Sequence, residues 1–302
     1  MSNLTAKDLY GGMTALVTPM LMDGRVDYVR WQELIQWQIK AQIRAIIVAG
    51  TTGESALLSL DEFQQLLTIA VECCKTTNTR VIAQTGHINT DAVIQSNNLA
   101  GEVGADAVLI VTPYYIRTTQ LGLEQHFSKI ADTSPLPVIL YNVPTRTQND
   151  MLAKTTASLA NHKMIIGIKE AAVDKNRILE LVRLLPKEFA ILSGNDDTFL
   201  LSMQQGANGV ISVASNVRPY AINQIATFMA LGDVISAKKL NTSLANLYKM
   251  LSYQPNPIPV KFLLHAAGLI DAGIRLPLLW LEAKLTGSKA ELVKIMNEIK
   301  TK

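Results

Sequence analysis

Short apolar runs rich in Val, Ile and Leu recur along the chain at a regular step, most of them closing on Gly, Pro, Thr or Ser. They are Met13 to Pro19, Ala45 to Gly50, Arg80 to Gly86, Ala107 to Pro113, Pro137 to Pro144, Ile165 to Glu170, Phe189 to Asp196 and Gly209 to Ser215. Runs that are apolar throughout, rather than alternating, predict parallel strands buried on both faces. Helix-like segments lie between them. Ser59-Leu60-Asp61-Glu62 reads as a capping box that opens a helix through Leu66, Leu67 and Ala70.

Eight strand–helix units in about 220 residues predict a (β/α)8 barrel. An open doubly wound sheet is the rival, but it usually carries a glycine-rich phosphate turn after its first strand. Here the first run ends in Val17-Thr18-Pro19-Met20. The barrel is expected over residues 1–230, with a helical C-terminal appendage over 231–302. In the appendage, Leu240, Leu244, Leu247 and Leu251 mark one face of a helix. Ser288-Lys289-Ala290-Glu291 is a second capping box, opening a last helix that carries Leu292, Ile295 and Ile299. The pattern leaves open whether this tail packs on the barrel or on a neighbour.

The chain has 302 residues and is 48% hydrophobic, enough for a large core. Its 28 basic and 25 acidic residues leave a net charge of +3 without a basic stripe, which argues against nucleic-acid or membrane partners. No apolar stretch reaches the ~20 residues that span a bilayer, and Met1 to Tyr10 lacks the apolar run of a signal peptide. The cysteines are the adjacent pair Cys73-Cys74, suited to neither a disulfide framework nor a metal cluster. The scattered His87, His126, His162 and His265 have no zinc spacing. A cytoplasmic location and no metal are the expectations.

Lys169 stands out. It closes the sixth apolar run, Ile165-Ile166-Gly167-Ile168-Lys169-Glu170. An ammonium group loses its hydration on burial, and a neutral amine in a dry wall is a nucleophile for carbonyls. In a barrel of this type the chemistry sits at the C-terminal strand ends. That rule gathers onto one rim Gly50-Thr51-Thr52-Gly53-Glu54-Ser55, Thr112-Pro113-Tyr114-Tyr115, Tyr141 to Arg146, Lys169 and Ser193-Gly194-Asn195-Asp196. Strand alternation sends Lys169 and Glu170 to opposite faces, so Glu170 is not simply the partner of the lysine. If Lys169 faces inward, Gly167 shares its side and clears space beside it. Tyr141 shares a face with Ile139.

A Schiff-base lysine needs a carbonyl substrate, a proton relay and a site for the substrate's charge. Tyr141 can exchange protons with the carbinolamine and imine, and the hydroxyls of Thr51 and Tyr115 can pass them on. Thr51 and Thr52 suit the carboxylate of an α-keto acid, and Arg146 offers a fork for a second carboxylate. A pyruvate imine that loses a methyl proton becomes an enamine, which adds to an aldehyde. This is class I aldolase chemistry and needs no cofactor. Each element also has a plainer reading. Lys169 can mark the solvent end of a strand, the glycine-bounded threonines an ordinary turn, Tyr114 and Tyr115 rim packing, and Arg146 surface cover. The stretch Gln254 to Pro259 reads as a rigid connector, His87 and His126 as surface or helix residues, and the cysteines as core filler.

Gly50 to Ser55, Val111 to Tyr115, Tyr141 to Thr147, Gly167 to Glu170, Gly194 to Asp197, Gly209 to Val213 and Pro255 to Lys261 resemble, in order, the signatures of the dihydrodipicolinate synthase family. The resemblance spans nearly the whole chain. It implies a (β/α)8 barrel with a helical C-terminal domain, assembled as a homotetramer of tight dimers. It further implies condensation of pyruvate with aspartate 4-semialdehyde on the route to diaminopimelate and lysine. By the same resemblance Lys169 forms the imine, and Thr51, Tyr141 and Tyr115 form the relay, with Tyr115 reaching across the dimer interface. Thr52 binds the pyruvate carboxylate, Arg146 the semialdehyde carboxylate, and Gly194 and Ile211 line the pyruvate end.

Two departures from the pattern matter. Feedback-sensitive bacterial members carry histidines just after the glycine-threonine motif and an asparagine after the third strand; here Leu60, Phe63 and Ile88 stand there. Apolar side chains cannot bond the charged groups of a bound lysine, so weak or absent feedback is expected. Asn195 stands where a second acid is common. Two other functions compete. Sister aldolases such as N-acetylneuraminate lyase or a keto-deoxy sugar acid aldolase share the lysine and tyrosine but tend to lack Arg146. A non-catalytic keto-acid-binding barrel would have lost the lysine or the relay hydroxyls.

Overall fold

Each predicted apolar run forms a strand. In the computed structural model, which describes residues 4–174 and 176–281, they are β1 (Gly11–Ala15), β2 (Ala45–Val48), β3 (Arg80–Gln84), β4 (Ala107–Val111), β5 (Val138–Asn142), β6 (Ile165–Glu170), β7 (Ala190–Ser193) and β8 (Gly209–Ser212). Every strand pairs in parallel with the next, and β8 pairs with β1, so the sheet closes into a barrel. Most strands are shorter than the runs that announce them. The surplus residues at their C-terminal ends, such as Leu16 to Pro19, are buried loop rather than ladder. Apolar content reports burial and does not separate a strand from a buried loop.

The helices between strands are α1 (Tyr28–Lys40), α2 (Leu60–Cys74), α3 (Thr90–Val103), α4 (Gln120–Thr133), α5 (Pro144–Thr147), α6 (Ala153–Leu159), α7 (Arg177–Leu184), α8 (Phe199–Gln204) and α9 (Pro219–Ala230). The capping box opening α2 is formed: Glu62 N–H donates to Ser59 Oγ (3.2 Å), and Ser59 N–H donates to the Glu62 carboxylate (2.9 Å). Such a cap stabilises a helix by about 1 kcal/mol.

Strand alternation builds two apolar layers. Inside the barrel lie Met13, Ala15, Ile47, Leu109, Ile139 and Leu192. Between barrel and helices lie Ile46, Leu66, Val81, Phe127, Leu140 and Ile168. Tyr141 and Ile139 share the inner face, as the alternation predicts.

Beyond α9, the leucine face of the tail belongs to two helices and not one. They are α10 (Val234–Ser243) and α11 (Ala245–Leu251), with Leu244 between them. Leu244 and Leu247 enter the outer core layer, because the break turns the chain while keeping its apolar side on the barrel. A third helix, α12 (Ile258–Ala266), follows. The described part of the tail therefore packs on its own barrel, with α10 against α9 and α8. The helix expected from Ser288 lies outside the described residues.

Candidate active site

Lys169 is the last but one residue of β6, with its side chain inside the barrel, 6% exposed, and its Nζ stands 4.3 Å from the centre of the Tyr141 ring. Tyr141 is its register partner on β5 and Leu192 its partner on β7. The lysine opens into a cavity of about 740 Å³ whose walls include Thr51, Thr52, Tyr141, Arg146 and Gly194. Six residues expected at the site thus meet in one space, drawn from the ends of β2, β5, β6 and β7.

Gly194, not Gly167, makes the room beside the lysine. A Cβ on Gly167 would meet the Ala190 carbonyl oxygen at 2.8 Å, so that glycine serves the close approach of β6 to β7, two register pairs deeper in the barrel. A Cβ on Gly194 would fall 2.7 Å from Ala171 Cβ and 3.1 Å from Lys169 Cε. Gly194→Ala is therefore expected to displace the amine and lower kcat about 100-fold, the penalty of a misplacement near 1 Å. Steady-state kinetics beside a circular-dichroism spectrum will test it, and wild-type turnover would refute it.

Two expected residues do not line the cavity. Ile211 is fully buried in the barrel interior opposite Met13, too deep to reach the rim. Val213, two residues further on, supplies that wall instead. Tyr115 is 93% exposed and adopts φ 68°, a left-handed conformation uncommon for a tyrosine. Tyr114 fits the rim-packing reading, half-buried with its ring edge-on to His87. His126, expected at a surface or on a helix, is buried on α4, where burial lowers its imidazole to about 4 and Thr90 Oγ1 lies 2.9 Å away. Cys74 is core filler as read, its thiol pushed up to about 12 by burial.

Asp196 had no assigned part, yet it lines the same cavity. Its carboxylate accepts from Ser212 Oγ (2.5 Å) and from the N–H groups of Val213 (3.0 Å) and Ala214 (2.9 Å). Burial raises its carboxyl, while these donors and the charge of Lys169 act against the rise.

The proline-rich stretch near residue 256 is a wall of the site rather than a connector. Asn256 Nδ2 donates to Thr52 Oγ1 (2.9 Å), and Arg146 Nη2 donates to the Asn256 carbonyl (3.3 Å). Behind it, Lys261 Nζ donates to Glu54 Oε1 at 2.5 Å, with both side chains at 0% exposure. Glu54 ends the Thr51-Thr52 turn at φ 59°. Its other oxygen accepts from Arg275 N–H (3.3 Å), and the Arg275 guanidinium pairs with Glu62 on α2. Burial lowers the Lys261 amine, and Glu54 opposes that fall. A lysine in Pro259-Val260-Lys261-Phe262 is as out of character as Lys169, and the same reasoning applied there would have found it.

Glu170 faces away from Lys169, as alternation predicts, and is buried with Asn142 and Arg177. Burial pushes its carboxyl up to about 7 from 4.5, against donors from Ala172, Asn142 and Arg177. An acid raised by folding binds its proton more tightly in the folded chain. Its contribution to stability is full below about pH 4.5 and is lost as pH rises through about 7. Glu170→Gln should narrow the stability gap between about pH 5 and about pH 8 in urea titrations; an unchanged gap would refute the assignment.

A lysine beside a tyrosine at the C-terminal mouth of a (β/α)8 barrel defines a lyase of the class I aldolase type. Residues 8–296 match the dihydrodipicolinate synthetase family, and the chain belongs to that family. It is 43% identical over 274 residues to the 4-hydroxy-tetrahydrodipicolinate synthase of Pseudomonas aeruginosa, covering 91% of this chain and 94% of the relative. The structure of the chloride-inhibited dihydrodipicolinate synthase of Acinetobacter baumannii, complexed with pyruvate, superposes with a TM-score of 0.92. That pair shares 40% identity and covers 97% of this chain and 99% of the other. A monomeric dihydrodipicolinate synthase variant superposes at 0.93, with 34% identity and 98% of each chain covered. No helix among the described residues is long and apolar enough to cross a membrane.

Proposed function

We propose that this chain is a 4-hydroxy-tetrahydrodipicolinate synthase, condensing pyruvate with L-aspartate 4-semialdehyde. The observation that carries this reading is the buried Lys169 amine beside Tyr141, with Gly194 holding space open next to it. Lys169 Nζ attacks the pyruvate C2 carbonyl, and loss of water leaves the imine. Removal of a methyl proton gives the enamine, whose carbon adds to the semialdehyde carbonyl. The amine of the second substrate then attacks the imine carbon, closing the ring and releasing Lys169. The substrate's own imine is the electron sink, so this reading needs no cofactor.

In this scheme Tyr141 and Thr51 move the protons, Thr52 meets the pyruvate carboxylate, and Arg146 meets the carboxylate of the semialdehyde. The Asn256 carbonyl holds one side of the Arg146 guanidinium and leaves its other donors for an anion. Tyr115 joins the relay from a neighbouring copy: its exposure in its own chain suits a side chain that completes a partner's cavity. A homotetramer of tight dimers in the cytoplasm is part of the same proposal. Arg146 favours a small dicarboxylic product over the sugar acids of sister aldolases.

Borohydride reduction in the presence of pyruvate, followed by peptide mapping, tests the reading. A pyruvate adduct on Lys169 and turnover with aspartate semialdehyde are expected. An adduct elsewhere, or turnover with sugar-acid substrates alone, would overturn it. L-lysine is expected to leave turnover unchanged. Leu60 and Phe63 present carbon to the small pocket they share with His87 and Tyr114, where a bound amino acid would need donors and acceptors. Inhibition by sub-millimolar lysine, seen in initial rates, would contradict this.

A further inference from the structure

We propose that Asn142 and Glu170, on the outer face of β5 and β6, are a positioning pair that holds Tyr141 and Lys169 in register inside the barrel. The inference rests on the imine reading of Lys169. Side chains alternate along a strand, so a slip of one residue would turn Glu170 inward and Lys169 outward. This strand pair already contains such an offset. Val138 pairs with Ile165, but Ile139 pairs with Gly167, leaving Ile166 as the extra residue. Above that irregularity the ladder alone does not choose the register, because a bulge absorbs one residue at modest distortion.

The choice is made outside the barrel. Asn142 and Glu170 are register partners, one step beyond Tyr141 and Lys169. Asn142 Nδ2 lies 3.0 and 3.1 Å from the two Glu170 oxygens, and Asn142 Oδ1 accepts from Met151 N–H (3.0 Å). Ala172 N–H donates to Glu170 Oε1 (2.7 Å), fixing the backbone just after the lysine. From α7, Arg177 donates to both oxygens of Asp150 (2.9 and 2.7 Å) and to the Met151 carbonyl (3.1 Å), and stands 3.5 Å from Glu170 Oε2. Asn142, Glu170 and Arg177 are all buried. The neighbouring outward positions, Leu140 and Ile168, show that an apolar side chain satisfies this layer. A buried polar network in their place adds geometric specificity, because its bonds exist in one register only.

Three variants test the pair through pyruvate imine formation, trapped with borohydride and timed at saturating pyruvate. Glu170→Ala is expected to slow trapping on Lys169 about 100-fold, in line with a misplaced nucleophile, with the KM for pyruvate little changed. Glu170→Gln keeps an oxygen that can accept from Asn142 and Ala172, and is expected to restore most of the rate. Asn142→Ala removes the same bonds from the other strand and reads the effect should Glu170→Ala not fold. A melting temperature that falls while trapping per folded molecule stays at the wild-type rate would overturn the proposal. So would equal rates in the Ala and Gln variants. Failure of the wild type itself to trap pyruvate on Lys169 would instead refute the proposed function.

Discussion

Lys169→Met is expected to lower kcat roughly 10³-fold or more, because the amine supplies the covalent step and a bound nucleophile is worth many orders of effective concentration. Methionine fills the volume against Tyr141 without an attacking atom. The fold should be retained, since the position lies in an apolar interior with Ile139 and Leu192 nearby. The variant should still bind pyruvate through Thr51 and Thr52, so a thermal shift on adding pyruvate is expected to persist while borohydride trapping disappears. Appreciable turnover by the methionine variant would show that another group does the chemistry.

The second large effect is on stability. Lys261→Met should leave the Glu54 carboxylate buried with the Arg275 backbone N–H as its one remaining hydrogen-bond donor among the described residues. Removing one partner of a buried pair typically costs about 3–5 kcal/mol. For a chain of this size that corresponds to a melting temperature lower by roughly 5–8 °C. The double variant Glu54→Gln/Lys261→Met should recover much of the loss, since the uncompensated charge is then gone and the coupling between the two positions is exposed. Activity should fall too, with the KM for pyruvate rising, because Glu54 anchors the turn that carries Thr51 and Thr52. A loss near 1 kcal/mol or less would mean that the pair is worth no more than a surface ion pair.

The barrel was legible because each of its strands is buried on both sides and so writes an unbroken apolar run. The position of Lys169 was legible for the converse reason, as a charge where the run demands carbon. The rule that chemistry gathers at strand C-termini then draws Thr51, Thr52, Tyr141, Arg146 and Gly194 to the mouth where one cavity brings them together. Depth was harder. Ile211 pairs with Met13 in the barrel interior, whereas Val213 lies past the end of β8, a difference in height that the register between β8 and β1 decides and no single strand reveals. The same ambiguity assigned to Gly167 a role that belongs to Gly194. Lys261 marks itself as a charge in an apolar run, but its pairing with Glu54, like that of Asn256 with Thr52, is the least legible feature. These partners lie some two hundred residues apart, and pairing at that distance leaves no local trace in composition or periodicity. The break at Leu244 leaves no mark in the leucine spacing, because both helices keep their leucines on one side.

The joining of Glu54 to Lys261 also sets an order of events during synthesis. The ribosome delivers the threonine turn first and its anchor 207 residues later. A nascent chain that has already emerged through α9 holds all eight strands but not the groups that fasten Thr52, Glu54 and Arg146. Long-range closure of this kind is among the slower steps of folding. Binding competence thus arrives last, and a chain that stalls before residue 261 is a barrel without a fastened mouth.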